Sequence, residues 1–208
     1  MAEEPSVGTA ARGTRLPRSA RRVQLLDAAR EVFVSQGYHA AAMDDIADRA
    51  GVSKPVLYQH FPGKFELYLA LLDEGAELLV DTVRDALDST SDNKQRVHAT
   101  IAAYYDFVGD NKGTFRLVFE SDLTSQEQVR ARVDSANRRC ADLVTKVIAE
   151  DAGLSPHEAH LLAVGLIGLA QVSARSWLGG DAGVGRDTAV ELLFRLAWRG
   201  IGGFPRTS

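Results

Sequence analysis

Residues 37–64 read GYHAAAMDDIADRAGVSKPVLYQHFPGK. At about 43–50 the spacing predicts a short helix with Met43, Ile46, Ala47 and Ala50 facing inward. Gly51 supplies the positive φ that a tight turn requires. Ser53 is expected to cap a second short helix running through Phe61. Pro55 falls in its first turn, where the missing N–H costs nothing. Ile46, Ala47, Val52 and Leu57 are placed to form a small core between the two helices. Two short helices joined by a three-to-four-residue, glycine-containing turn are the signature of a helix-turn-helix. The second helix of such a unit enters the DNA major groove with its first turn facing base edges.

The second helix carries suitable chemistry. Lys54 offers a cation at its start, and Pro55 and Val56 offer apolar surface to a thymine methyl. Gln59 can hydrogen-bond an adenine edge. Tyr58 and His60 can donate to phosphate oxygens. Lys64 opens the next helix, so a phosphate there would meet both a cation and a helix N-terminus. Each residue also has a plainer reading. Tyr58 could simply anchor the turn, and glutamines such as Gln59 are common on helix surfaces.

Working outward, Leu25, Ala28, Ala29, Val32 and Phe33 form one apolar stripe of a helix that starts near Arg18 and stops at Gly37. Residues 1–17 read as a disordered basic arm, small, polar and broken by two prolines. Arg12, Arg15, Arg18, Arg21 and Arg22 could form an arm entering a minor groove or merely a solvated tail, and Arg21 and Arg22, at the first helix, are better placed for the DNA backbone than Arg12. After Pro62-Gly63 a longer helix runs from Lys64 to about Leu87. Helical pattern resumes at 94–109, 114–120, 126–151, 156–178 and 186–200, with Ser155-Pro156 marking one start. No segment shows strand periodicity. The expectation is an all-α chain of about nine helices: an arm at 1–17, a helix-turn-helix domain at 18–64 and a helical regulatory and dimerisation domain at 65–208.

Average charge alone argues against a nucleic-acid partner, because the formal net charge is −4. The distribution reverses that reading. From Arg12 to Lys64 there are nine Lys or Arg against five Asp or Glu, and from Phe65 onward fifteen against twenty-one. Screening confines the effect of charge to about 8–10 Å, so the local patch governs binding. One cysteine, Cys140, permits no internal disulfide and no cysteine-rich zinc site. The N-terminus lacks an apolar signal-peptide core, and the longest apolar run, Leu161 to Ala170, is far short of the roughly 20 residues of a membrane span. These features predict a soluble, cytoplasmic protein with no membrane partner.

Several residues resemble the N-terminal domain of the TetR family of bacterial regulators. They are Ala28-Ala29-Arg30-Glu31-Val32-Phe33, Gly37-Tyr38, Ile46-Ala47, Ala50-Gly51-Val52-Ser53-Lys54, and Leu57-Tyr58-Gln59-His60-Phe61 with Lys64. The match is nearly continuous from Leu25 to Leu69. One departure stands out: Ala41 and Ala42 occupy the start of the first short helix, where the family often has a hydroxyl residue. The missing capping oxygen is worth about 1 kcal/mol, which Asp44 and Asp45 partly offset through the helix dipole. The resemblance implies a homodimer on a palindromic operator, a repressor released by a small-molecule effector, and a four-helix interface built from the last two helices. Leu162, Gly165, Leu166, Leu169, Val190, Phe194 and Trp198 are the residues expected there. A deep core helix within one subunit is the alternative for 156–178, and an activator role also fits the sequence.

Tyr104, Tyr105, Phe107, Phe115, Phe119 and Trp177 are candidates to line an effector pocket, or plain core. The rival class is a helical metal-binding protein or enzyme without a DNA role. His157-Glu158-Ala159-His160 has the wrong spacing for the zinc-protease helix, which needs i and i+4, and Glu158 reads more simply as a dipole partner. Gly179–Gly185 lacks the Gly-Lys-Ser/Thr of a phosphate loop. No catalytic residues, metal or cofactor are expected.

Overall fold

A computed structural model describes residues 16–110, 123, 125–180 and 182–200. All but the last two residues of the expected arm at 1–17, and the expected helix at 114–120, lie outside the described residues. Among those residues all regular structure is helical, in eight helices: α1 (Arg18–Ala40), α2 (Met43–Arg49), α3 (Lys54–His60), α4 (Lys64–Asp88), α5 (Asn93–Asp110), α6 (Glu127–Ala152), α7 (Pro156–Leu178) and α8 (Arg186–Arg199).

Helices α1, α2 and α3 pack around one small core. Leu25, Ala29, Ile46, Ala47 and Leu57 are almost completely buried in it, and Val52 packs against its edge. A large apolar side chain buried this way contributes about 1.5–3 kcal/mol. The α1 pattern does not stop at Gly37 as the sequence implied. Gly37 adopts a φ of 78°, a kink inside the helix, and one more turn follows to Ala40. Tyr38, carried on that extra turn, meets Phe33 and Tyr68 at ring-centroid distances of 5.7 and 5.2 Å. Tyr68 belongs to α4 and is fully buried. This aromatic triad ties the first three helices to the long connecting helix.

Helix α4 then packs against α5 and α6, α6 against α7, and α5 against both α7 and α8. Helix α7 begins with a complete capping box. The Ser155 hydroxyl accepts from the Glu158 N–H, and the Glu158 carboxylate accepts from the Ser155 N–H at 2.9 Å and its hydroxyl at 2.6 Å. Both orphan donors at the helix start are thereby satisfied. Glu158, part of the stretch that invited a metal reading, is occupied in capping the start of α7. Its neighbour His160 instead faces Thr145 and Asp142.

Candidate nucleic-acid interface

The turn between α2 and α3 is built from backbone hydrogen bonds. The Gly51 N–H donates to Asp48 O at 3.0 Å and the Val52 N–H donates to Ala47 O at 3.0 Å. With Gly51 at φ 63°, this is the Schellman closure of α2. Gln24 on α1 secures the turn by donating to Ala50 O at 2.7 Å, and Arg21 in turn donates to Gln24 at 2.8 Å. Gln24 has no motif signature and escaped the sequence reading. A helix-surface glutamine is legible as a clamp once its partner carbonyl is located.

Helix α3 turns one side inward through Leu57 and the other to solvent. Ser53, Lys54, Pro55, Tyr58 and Gln59 are exposed, and Val56 and His60 are half-buried. The Ser53 side chain makes no cap hydrogen bond, so the expected hydroxyl cap is not what starts α3. Its backbone carbonyl does that, accepting from the N–H groups of Val56 and Leu57. At α2 the missing hydroxyl has its foreseen consequence: Ala42 is the N-cap and makes no side-chain bond. The Lys54 ammonium pairs with Asp44 at 2.5 Å, an exposed bridge between the starts of α3 and α2.

His60 ends α3 against the N-terminal turn of α1. Burial, followed by the charges of Arg18, Arg22 and Arg21, pushes its pKa below the ordinary imidazole value. The Arg22 guanidinium lies 4.5 Å from the Phe61 ring centroid, a cation–π contact that carries its charge close to the end of α3. Arg18, where the sequence places the start of the first helix, is the first residue of α1 and belongs to this basic cluster.

Lys64 departs most from expectation. Its ammonium donates to Tyr38 O at 2.8 Å, His39 O at 3.3 Å and Ala41 O at 2.8 Å, and lies 4.6 Å from the Tyr38 ring centroid. Those carbonyls are left without helical partners by the turn at Gly37. In the free protein all three donors are committed to the fold, leaving none for a phosphate.

The second site is a partly open cavity of about 310 Å³ lined by residues of α4 to α8. Val83, Ile101, Val144, Ile148 and Ile167 are among its apolar walls. Tyr104 lines it, but Tyr105, Phe107 and Trp177 do not, because Tyr105 is packed on Trp177 at 5.2 Å and Phe107 is buried elsewhere in the core. Phe115 and Phe119 lie outside the described residues. Leu166, Leu169 and Trp198, expected at a subunit interface, are partly exposed and also line the cavity. Val190 and Phe194 are buried within the chain, with Phe194 edge-on to His98 of α5 at 5.2 Å. Ala189, Val190 and Phe194 of α8 are thus packed within the chain, while Leu192 and Trp198 stay exposed. Helix α7 is mostly uncovered: only 22% of its most apolar stretch is buried, and Leu161, Leu162, Val164 and Val172 are exposed. Gly165 is exposed as well, with open space where a Cβ would stand. By length and composition this helix could cross a membrane, though no run of uninterrupted apolar residues announced it.

Among the described residues no group of three or more His, Cys, Asp or Glu is placed to hold a metal. Cys140 is buried between helices, and burial pushes its thiol up to about 12.

The model of "Bacterial regulatory proteins, tetR family" matches residues 25–71, and that of the "Tetracyclin repressor-like, C-terminal domain" matches 93–200. The chain is 50% identical over 205 residues to the HTH-type transcriptional activator FasR of Mycolicibacterium smegmatis, covering 99% of this chain and 94% of that one. The chain belongs to the TetR family. As a TetR-family member it is a DNA-binding transcriptional regulator and not an enzyme. A TetR-like regulator from Rhodococcus sp. RHA1 superposes with a TM-score of 0.72 at 30% identity, over 91% of this chain and all of that one. FadR of Bacillus subtilis, solved in complex with stearoyl-CoA, shares the TetR fold at a TM-score of 0.72 and 18% identity, covering 86% and 98% of the two chains.

Proposed function

We propose that this cytoplasmic regulator binds a palindromic operator as a homodimer and that an apolar small molecule in the α4–α8 cavity controls the binding. The observation that carries the reading is the outward face of α3: a short helix held from behind by Leu57 and presenting Lys54, Tyr58 and Gln59 to solvent. In this reading residues 18–64 form the DNA-binding unit. Lys54, Pro55, Val56 and Gln59 meet base edges, and Ser53, Tyr58, His60, Arg21 and Arg22 meet the phosphate backbone. The Lys54–Asp44 pair is exposed, so exchanging Asp44 for DNA costs little. Lys64 acts indirectly, by fixing the loop behind α3.

The uncovered face of α7 supports the dimer. Its leucines and valines need burial, and Gly165 lets a second α7 approach closely. A two-fold dimer places the α3 helices for adjacent major grooves when they stand about 34–36 Å apart. The cavity supports an effector with a long apolar body, and the stearoyl-CoA held by FadR is a ligand of that kind. The effector acts by favouring one spacing of the two DNA-binding units over another. The direction of regulation follows FasR, which is an activator, in place of the repressor that the family resemblance suggested.

Selection of genomic fragments retained by the purified protein tests the reading. A two-fold-symmetric motif is expected, with retention that changes when a long-chain acyl-CoA is added and with increased transcription from the linked promoter in vitro. Failure to retain any fragment in dilute salt would remove the DNA role of α3.

A further inference from the structure

We propose that Lys54 and Asp44 act together as the reader of one base pair, selecting G·C with Lys54 on the guanine and Asp44 on the cytosine. The inference rests on the DNA reading of α3 and adds to it a residue of α2. Lys54 is the first residue of α3 and Asp44 the second of α2. The Lys54 Nζ lies 2.5 Å from the Asp44 Oδ2, and 60% and 54% of the two side chains are exposed. A surface that receives the ammonium therefore also meets the carboxylate.

A duplex makes opposite demands on the two groups. Lys54 finds acceptors on phosphates and on base edges alike. Asp44 is repelled by phosphates. Once Lys54 turns to the DNA, Asp44 becomes a carboxylate without a donor in a site that is losing its water, which is costly. In the major groove the base groups that donate are the amino groups of cytosine and adenine. The pair thus needs an acceptor and a donor side by side, a hydrogen bond apart. Guanine O6 and cytosine N4 meet that need, because they are themselves hydrogen-bonded to each other at about 2.9 Å. C·G and A·T present the reverse order, which sets donor against ammonium and acceptor against carboxylate. T·A keeps the order but lacks the second acceptor that guanine N7 offers a lysine. G·C is the pair that satisfies both side chains. The exposed bridge is itself weak, so trading it for two base contacts costs little.

The test is selection of bound duplexes from a random-sequence pool by the full-length protein and its variants, read as base preferences at each position. The parent should favour G·C over C·G by about tenfold at one position of each half-site. Lys54→Ala and Asp44→Ala should each erase most of that preference, at the same position. Asp44→Asn adds a donor beside the acceptor and should raise T·A there, through paired contacts to adenine N6 and N7. Asp45→Ala removes an equal charge one residue along and should alter no base preference. An Asp44→Ala motif identical to the parent's, or altered at a different position from that of Lys54→Ala, overturns the joint reader. So does an Asp44→Asn motif without the T·A gain, and so does a matching change in Asp45→Ala, which would make the effect one of charge alone. If the parent enriches no sequence, the DNA reading of α3 fails, and the reader with it.

Discussion

Three carbonyls at the end of α1 face the single ammonium of Lys64, and they decide what that residue does. A lysine at the first position of a helix, beside a recognition helix, has the placement of a phosphate ligand. The carbonyls that claim it come from Tyr38, His39 and Ala41, more than twenty residues earlier. They point at Lys64 because Gly37 kinks the helix, a tertiary consequence that spacing does not encode. Pro55, Tyr58 and Gln59 were legible because the helical period itself turns them away from Leu57. Lys64→Met should keep the stem packed on Tyr38 while removing the ammonium. The expected cost is about 1–2 kcal/mol, the lower part of the range for charged hydrogen bonds because the site is partly open to water. The variant should melt earlier, yet once folded should show the same salt dependence of DNA binding as the parent. An unchanged Tm with a shallower salt slope would return Lys64 to the phosphate contacts.

Helix α4 spans both halves of the chain, and its acidic residues are gripped from two sides. Arg30 of α1 holds Glu74 at 2.6 Å, Arg132 of α6 holds Asp73 at 2.8 Å, and Arg139 of α6 takes Glu77 through both guanidinium nitrogens at 2.6 and 2.7 Å. Exposed pairs of this sort contribute little to stability, so their consequence is geometric: they set how α4 sits against α6. The two hydrogen bonds from Arg139 hold the Glu77 carboxyl below its ordinary value of 4.5. The stabilisation is therefore complete above that value and is lost as pH falls through the lower folded one. Glu77→Gln should melt slightly earlier than the parent at neutral pH, and the two melting curves should converge as the solution is acidified. A gap that persisted in acid would mean the substitution acts through something other than the charge. Many helix limits were readable at this scale, since Gly51, Ser155 and Gly153 punctuate the sequence, but Gly37 kinks α1 without ending it and the Ser53 hydroxyl caps nothing. The assignment of faces was not readable. Both α7 and α8 are amphipathic enough to meet a partner, and amphipathicity cannot distinguish a partner subunit from the chain's own α5, which takes Val190 and Phe194.

At the scale of the molecule, the described residues leave the apolar surface of α7 uncovered. Leu161 is 73% exposed and Val172 68%. Contiguous apolar surface of this kind marks an interaction site. A second copy covers it by symmetry, since a two-fold axis pairs the patch with itself. Leu162 and Val172 lie on the uncovered face and touch neither the cavity nor the core, whereas Leu166 and Leu169 face the cavity and would confuse the test. The double variant Leu162→Glu, Val172→Glu should therefore keep its helical circular dichroism and sediment as a monomer. Two charges in each facing patch would have to be buried for the dimer to persist. Operator affinity should fall by about a hundredfold or more, because the second half-site is no longer delivered at high effective concentration. Binding to an isolated half-site should be unchanged. A double variant that still sedimented as a dimer would place the subunit contact elsewhere, and the spacing of the two α3 helices would then have to be set by a surface other than α7.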